Sequence, residues 1–258
     1  MRICRFDAGH GAQFGRVVDQ DVVPLTGSPF EEPTEAGPVL ALTEVRLLPP
    51  VIPSTFFCAG MNYAKHVGEA LAHGNASAKV PARPDIGYRA NNALIGHNAE
   101  IVKPRDYEGR FEYEAELVAV IGRRLRHSSR DEARDAIFGW TTGNDVSARA
   151  WQYADRTMWR GKNSDTFKPM GPWIDTDADP MDGDIVARVN GKETSRFRAA
   201  DMIFTAIDFI TEITRYITME AGDILWLGTD GIGAIAPGDV VEIEIDGLAP
   251  LSNPVVER

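Results

Sequence analysis

Three glutamates fall at every second position in the run Phe111–Ile121, FEYEAELVAVI. In an extended chain alternate side chains share a face, so Glu112, Glu114 and Glu116 stand with Val118 and Val120, opposite Phe111, Tyr113, Ala115, Leu117, Ala119 and Ile121. Same-face neighbours are about 7 Å apart, so ionised carboxylates at this spacing repel one another and lose hydration if buried. A hard divalent cation among them would relieve both costs. An edge strand with a solvated acidic rim is the alternative that the same pattern allows.

Other groups able to do chemistry are scattered along the chain. His66 and Glu69 are three apart on a helix expected from Asn62, as N-cap, to about Ala72, closed by Gly74. A carboxylate beside a neutral histidine orients it and makes it more basic, although such a pair also occurs as a plain surface contact. Asp145 follows a Gly-Asn turn at the end of a short β-like run, and strand ends are where a fold can expose polar groups. Lys162 lies in MWRGKNSDTFKPMGPWI, which reads as an irregular loop over a cleft.

The elements that must position these residues are mostly strands. Arg2–Phe6 and Gln13–Pro24 read as two short strands, GSPFEEPTEAGP as a linker or surface loop, and TFFCA as a buried strand ending at Gly60. Ser129 with Glu132 forms a capping box for a short helix. Asp184 to Asn190 leads into a Gly191-Lys192 hairpin, and Asp201 is expected to cap a helix with an apolar stripe of Phe204, Ile207, Phe209, Ile210 and Ile213. DILWLGT, a glycine turn GTDGIG and the alternating DVVEIEI close the chain; no helix follows the turn, so it is not a dinucleotide fingerprint. The expected architecture is mainly β with a few short helices, divided into a small N-terminal β region at 1–48 and a catalytic domain at 49–258.

Composition narrows the classes of function. A formal charge of −11, with no basic tract, argues against affinity for nucleic acid or an anionic membrane. Cys4 and Cys58 are too few for a disulfide framework and too far apart for a metal knuckle, and read as small buried hydrophobes in a reducing cytoplasm. No apolar run approaches the roughly 18 residues of a membrane span, and the first residues lack the apolar core of a signal peptide, so a cytoplasmic chain is expected.

Six ordered motifs together carry a resemblance: AGMNYAKHVGEA, YEAELVAVIGRR, GWTTGNDVSAR, MWRGKNSDTFKPMGPWI, the Asn-Gly hairpin with DMIF, and GDILWLGTDGIG followed by PGDVVEIEI. From about Leu47 onward the chain resembles the fumarylacetoacetate hydrolase family. The resemblance implies a mixed β-roll or sandwich of that family's C-terminal type, usually a homodimer, and magnesium, with manganese or calcium as substitutes. It places the metal ligands at Glu114, Glu116 and Asp145; spacing does not choose between the Glu112/Glu114 and Glu114/Glu116 pairs, but the family's following Leu117 and Val-Ile-Gly favour the second. It also implies His66 as base with Glu69 orienting it, Lys162 as a cation beside a developing oxyanion, Thr229 as a holder of the substrate carboxylate, and Gly-Asn-Ala-Ser after His66 as a lid hinge. Arg89 stands where the family often has lysine, Ser195 where it often has glutamine, and Asp230 where it usually has proline.

Three carboxylates without sulfur or imidazole suit a hard cation, which can chelate a 2-oxo acid and stabilise an enolate. The expected activity is therefore hydrolysis of a C–C bond in a 2,4-dioxo acid of acylpyruvate type. The alternative is decarboxylation or isomerisation of an oxaloacetate- or hydroxymuconate-type acid in aromatic catabolism. A non-enzymatic β module holding structural calcium is the third reading. Arg149 and Arg160 are further candidates for a substrate carboxylate, whereas Trp151, Trp159 and Trp173 read as packing.

Overall fold

A computed structural model describes residues 1–65, 67–68 and 79–258. Its described strands fall into two sheets, and the fold class expected from the sequence is the one observed. The larger sheet runs in the order Thr34–Glu35, Asp21–Thr26, Ala12–Val18, Arg2–Asp7, Lys168–Asp175, Ile137–Asn144, Phe111–Ile121, Ile224–Trp226, Phe56–Ala59, Ile86–Tyr88. The smaller runs Ile101–Lys103, Leu251–Glu257, Val240–Ile245, Asp184–Val189, Lys192–Arg198. The N-terminal strands continue the larger sheet, because Arg2 and Ile3 pair with Asp175 and Ile174.

Phe111–Ile121 is buried from end to end, which removes the alternative of a solvated edge. Its two faces serve different cores. Ala115, Leu117, Ala119 and Ile121 join a cluster with Ile185, Ala187, Ile243 and Ile245 of the smaller sheet. Val118 and Val120 pack instead with Phe56, Cys58, Met170 and Trp226. The glutamates share this second face, so one face of one strand passes from carboxylates to apolar core.

Several local expectations are corrected. Gln13–Pro24 is two strands, Ala12–Val18 and Asp21–Thr26, joined at Asp19, whose φ is +53°. The apolar-striped helix is Ala206–Thr214, and Thr205 caps it through the Asp208 backbone N–H while the Asp208 carboxylate accepts from the Thr205 N–H. Asp201 sits earlier, in a 3-10 turn. The helix that Asn62 is expected to cap extends outside the described residues; the buried Asn62 amide donates to Phe204 O and Leu227 O and accepts from Phe204 N. The loop after Met158 folds into a helix, Trp159–Asn163, and a strand, Lys168–Asp175. Trp159 is exposed, contrary to a packing role. Both cysteines are free and buried, and burial pushes Cys4 up to about 12 and Cys58 up to about 11.

Candidate metal centre

The site forms where the ladder on either side of the acidic strand is interrupted. On one side Ala115 pairs with Asn144 and Glu112 with Ser147, leaving Asp145 and Val146 outside named strands. The Asn144 side chain takes over there by accepting from the Glu114 N–H, and Asp145 N donates to Glu114 O. On the other side Val118 pairs with Trp226 and Glu114 with Ile232, so three strand residues face five, Leu227 to Gly231. That surplus turns through Gly228, with φ +82°, and its N–H donates to Glu116 Oε2 at 2.8 Å. Glycine supplies this left-handed conformation without the steric cost of a Cβ.

Glu114, Glu116 and Asp145 consequently converge: one oxygen from each lies within 4.8 Å of the others, and all three are buried. Cations surround them. Lys162 Nζ is 2.7 Å from Glu114 Oε2 and 3.1 Å from Asp145 Oδ2. Arg89 donates to the same Asp145 oxygen from Nη2 at 2.9 Å and Nε at 3.3 Å. Arg149 joins Glu112 at 2.5 Å and Glu114 at 2.6 Å, and Lys168 Nζ is 2.5 Å from Asp145 Oδ1. Among the described residues, four carboxylates are thus gathered with four cations, and half-exposed Arg110 adds a fifth cation on Glu112.

The electrostatics follow from burial opposed by these pairings. Burial raises Asp145, but Arg89, Lys162 and Lys168 outweigh it and hold the carboxyl well below its usual range. Burial pushes Glu116 up to about 8, with Asp145 and Glu114 adding to the rise and Lys162 and the Gly228 N–H opposing it. Burial pulls Lys168 down to about 8 against the attraction of Asp145, with Lys162 and Arg89 adding to the fall. Arg149 and Arg89 are raised, their carboxylate partners overcoming burial. The donor set fits a hard divalent cation: it is all oxygen, convergent, and contains a carboxylate that burial leaves costly to ionise.

The residues singled out in the sequence are distributed as follows. Glu114, Glu116, Asp145, Lys162 and Arg89 come together. Thr229 is buried next to Gly228, its hydroxyl donating to Gly231 O and accepting from Gly231 N, both at 3.0 Å. Ser195 accepts from the Tyr113 hydroxyl, and Arg160 is paired with Asp155. His66, Glu69 and the Gly-Asn-Ala-Ser stretch lie outside the described residues. Sequence reasoning passed over Lys168; a lysine inside the otherwise apolar run FKPMGPWI was the available signal. It also set Glu112 aside as a flanking residue, although Glu112 is buried and paired with Arg149. An open cleft of about 620 Å³ is lined by Arg89 together with Tyr88, Trp159 and Asn163.

Comparison with known proteins agrees with this architecture. Residues 55–256 match the model described as fumarylacetoacetate (FAA) hydrolase C-terminal, and residues 1–50 match Rv2993c-like, N-terminal. The chain is similar over its whole length to the crystal structure of 5-carboxymethyl-2-hydroxymuconate delta-isomerase from Mycobacterium smegmatis, at 35% identity and TM-score 0.89, with all of that chain covered. It is similar to 2-hydroxyhepta-2,4-diene-1,7-dioate isomerase from Mycobacterium marinum, at 35% identity and TM-score 0.88, covering 100% of this chain and 99% of that one. It is also 32% identical to the mitochondrial oxaloacetate tautomerase FAHD2A of Bos taurus, over 99% of this chain and 92% of the relative.

Proposed function

The chain belongs to the fumarylacetoacetate hydrolase family, and on that footing we propose that it is a divalent-metal-dependent enzyme shifting a proton in a small 2-oxo dicarboxylic acid through its enol or enolate form. The observation that carries the reading is the convergence of Glu114, Glu116 and Asp145 beside Lys162. These three carboxylates would hold the ion, with magnesium the expected one and manganese or calcium as alternatives. When bound, the ion supplies a Lewis acid for the carboxylate and keto oxygens of such a substrate.

The chain's own residues supply the rest. Lys162 holds a buried ammonium beside the carboxylates, where it favours the negative oxygen of an enolate over the neutral ketone. Arg89 lines the open cleft, and its planar fork, which donates to Asp145 in this structure, is the proposed holder of a second carboxylate of the substrate. His66, oriented by Glu69, is the proposed group that takes and returns the proton at carbon, and Thr229 a proposed holder of a substrate carboxylate. Isomerases and a tautomerase among the similar proteins support the proton shift.

Hydrolysis of an acylpyruvate is the second reading. It needs the same enolate stabilisation and, in addition, water activated by His66; a similar fumarylacetoacetate hydrolase from Exiguobacterium antarcticum, 29% identical at TM-score 0.84, favours it. A homodimer belongs to both readings.

The test incubates the protein and magnesium with enol oxaloacetate and a panel of acylpyruvates, following enol absorbance and products by proton NMR. The expected result is accelerated loss of the enol, stopped by chelator, with E114Q and E116Q each about 100-fold or more slower and unable to bind Mn2+. Chelator-sensitive release of pyruvate and a carboxylic acid, abolished in His66→Ala, would establish the hydrolase instead. Full activity and metal binding in E114Q and E116Q would mean that the ligand register is wrong.

A further inference from the structure

Asn163 has no part in the proposed chemistry, yet it follows Lys162 directly and lines the same cleft as Arg89. Lys162 and Arg89 come from segments far apart in sequence and meet at one atom, Asp145 Oδ2. Lys162 Nζ is 3.1 Å from that oxygen, and Arg89 Nη2 and Nε are 2.9 and 3.3 Å from it. In the residues that follow each cation the two segments are joined again. Ala90 N donates to Asn163 Oδ1 at 2.9 Å, and Asn92 Nδ2 donates to Asn163 O at 3.0 Å and to Asp165 Oδ1 at 2.7 Å. Past the bond from Arg89 N to Phe56 O the chain leaves the sheet, and the next N–H, that of Ala90, is answered by a side chain. The helix side of this clasp is firmly seated. A Cβ at Gly161 would lie 2.4 Å from Gln152 N, so Trp159–Asn163 packs on the backbone of Arg149–Ala154 with no room for a side chain between them.

We propose that Asn163 is a positioning residue: its side-chain oxygen holds the Arg89 segment against the helix that carries Lys162, and thereby sets the spacing of the two cations. The inference rests on the reading of Arg89 as the holder of a second substrate carboxylate, with Lys162 at the enolate oxygen. A substrate gripped at two points is bound less tightly when one of the two can drift, even though its charge is still present. Loss of the Asn163 acceptor removes one hydrogen bond of the clasp and leaves Asn92 on the Asn163 carbonyl, so the segment loosens without coming away.

The experiment is steady-state kinetics of the full-length wild type, N163A, N163D, R89A and R89A/N163A on enol oxaloacetate with magnesium, with folding checked by circular dichroism. N163A is expected to raise KM about tenfold with kcat within about threefold of the wild type. N163D, whose carboxylate still accepts from the Ala90 N–H, should keep KM within about threefold. R89A should raise KM at least as far as N163A, and R89A/N163A no further than R89A, since Asn163 acts through Arg89. Should N163A not fold, N163L, which also lacks the acceptor, takes its place. An unchanged KM in N163A, an equal rise in N163D, or a further rise in R89A/N163A over R89A overturns the proposal. No turnover by the wild type overturns the proposed function and this inference with it, and an unchanged KM in R89A overturns the reading of Arg89 and this inference with it; an impaired R89A beside an unaffected N163A overturns this inference alone.

Discussion

Arg149 spans two glutamates of one strand, Nε on Glu112 and Nη1 on Glu114, with Gln152 accepting from Nη1 at 2.9 Å. Replacing it with alanine leaves two buried carboxylates short of a partner, which costs far more than a surface ion pair is worth. R149A is expected to lose about 3–5 kcal/mol of stability in urea unfolding, whereas R130A, at a largely exposed pair with Asp208, should lose about 1 kcal/mol or less. At this scale the acids were legible in the sequence, and Lys162 and Arg89 were named beside them through the family resemblance, whereas Lys168 and the pairing of Arg149 with Glu112 and Glu114 were not. Glu112, Glu114 and Glu116 declare themselves by two-residue spacing within one strand. Arg89, Arg149, Lys162 and Lys168 reach Glu112, Glu114 and Asp145 from other segments, and spacing in one segment says nothing about what a distant segment brings to it.

Helix ends show the same limit one level up. Ser129 and Glu132 were readable as a capping box because the signal is local. Thr205 and Asp208 form the same box, but Asp201, also a good cap by type, lies one turn earlier and drew the boundary upstream. Asn62 reads as a cap by type, and its side chain is also used over a long range that local spacing does not signal, clasping Phe204 and Leu227. The Asp208 box has a measurable pH signature. Burial raises its carboxyl, but the hydrogen bonds from Arg130 and Thr205 outweigh burial and leave it below the usual value. A lowered folded-state value adds stability above the unfolded carboxylate range and loses it as pH falls through the folded value. D208A should therefore melt below the wild type by about 1 kcal/mol of stability at neutral pH, and the gap should close below about pH 4.

Across the whole molecule, the N-terminal strands and the site share one sheet. Arg2–Asp7 covers the edge of Lys168–Asp175, the strand that begins with the lysine on Asp145. Deleting residues 1–48 would open that edge, and an exposed strand edge is a template for pairing between chains. The truncated chain is expected to elute as aggregate in size-exclusion chromatography, with Mn2+ binding lost; a monodisperse, Mn2+-binding product would show that residues 49–258 fold alone. The central strand has a further consequence for synthesis. Phe111–Ile121 can pair with Ile137–Asn144 soon after it is made, but its other neighbour, Ile224–Trp226, comes near the end of translation. Until then one side of an apolar strand waits unpaired on the ribosome. Like charges on that waiting strand would repel between nascent copies, so the residues proposed to hold the ion are expected also to disfavour aggregation before any site exists.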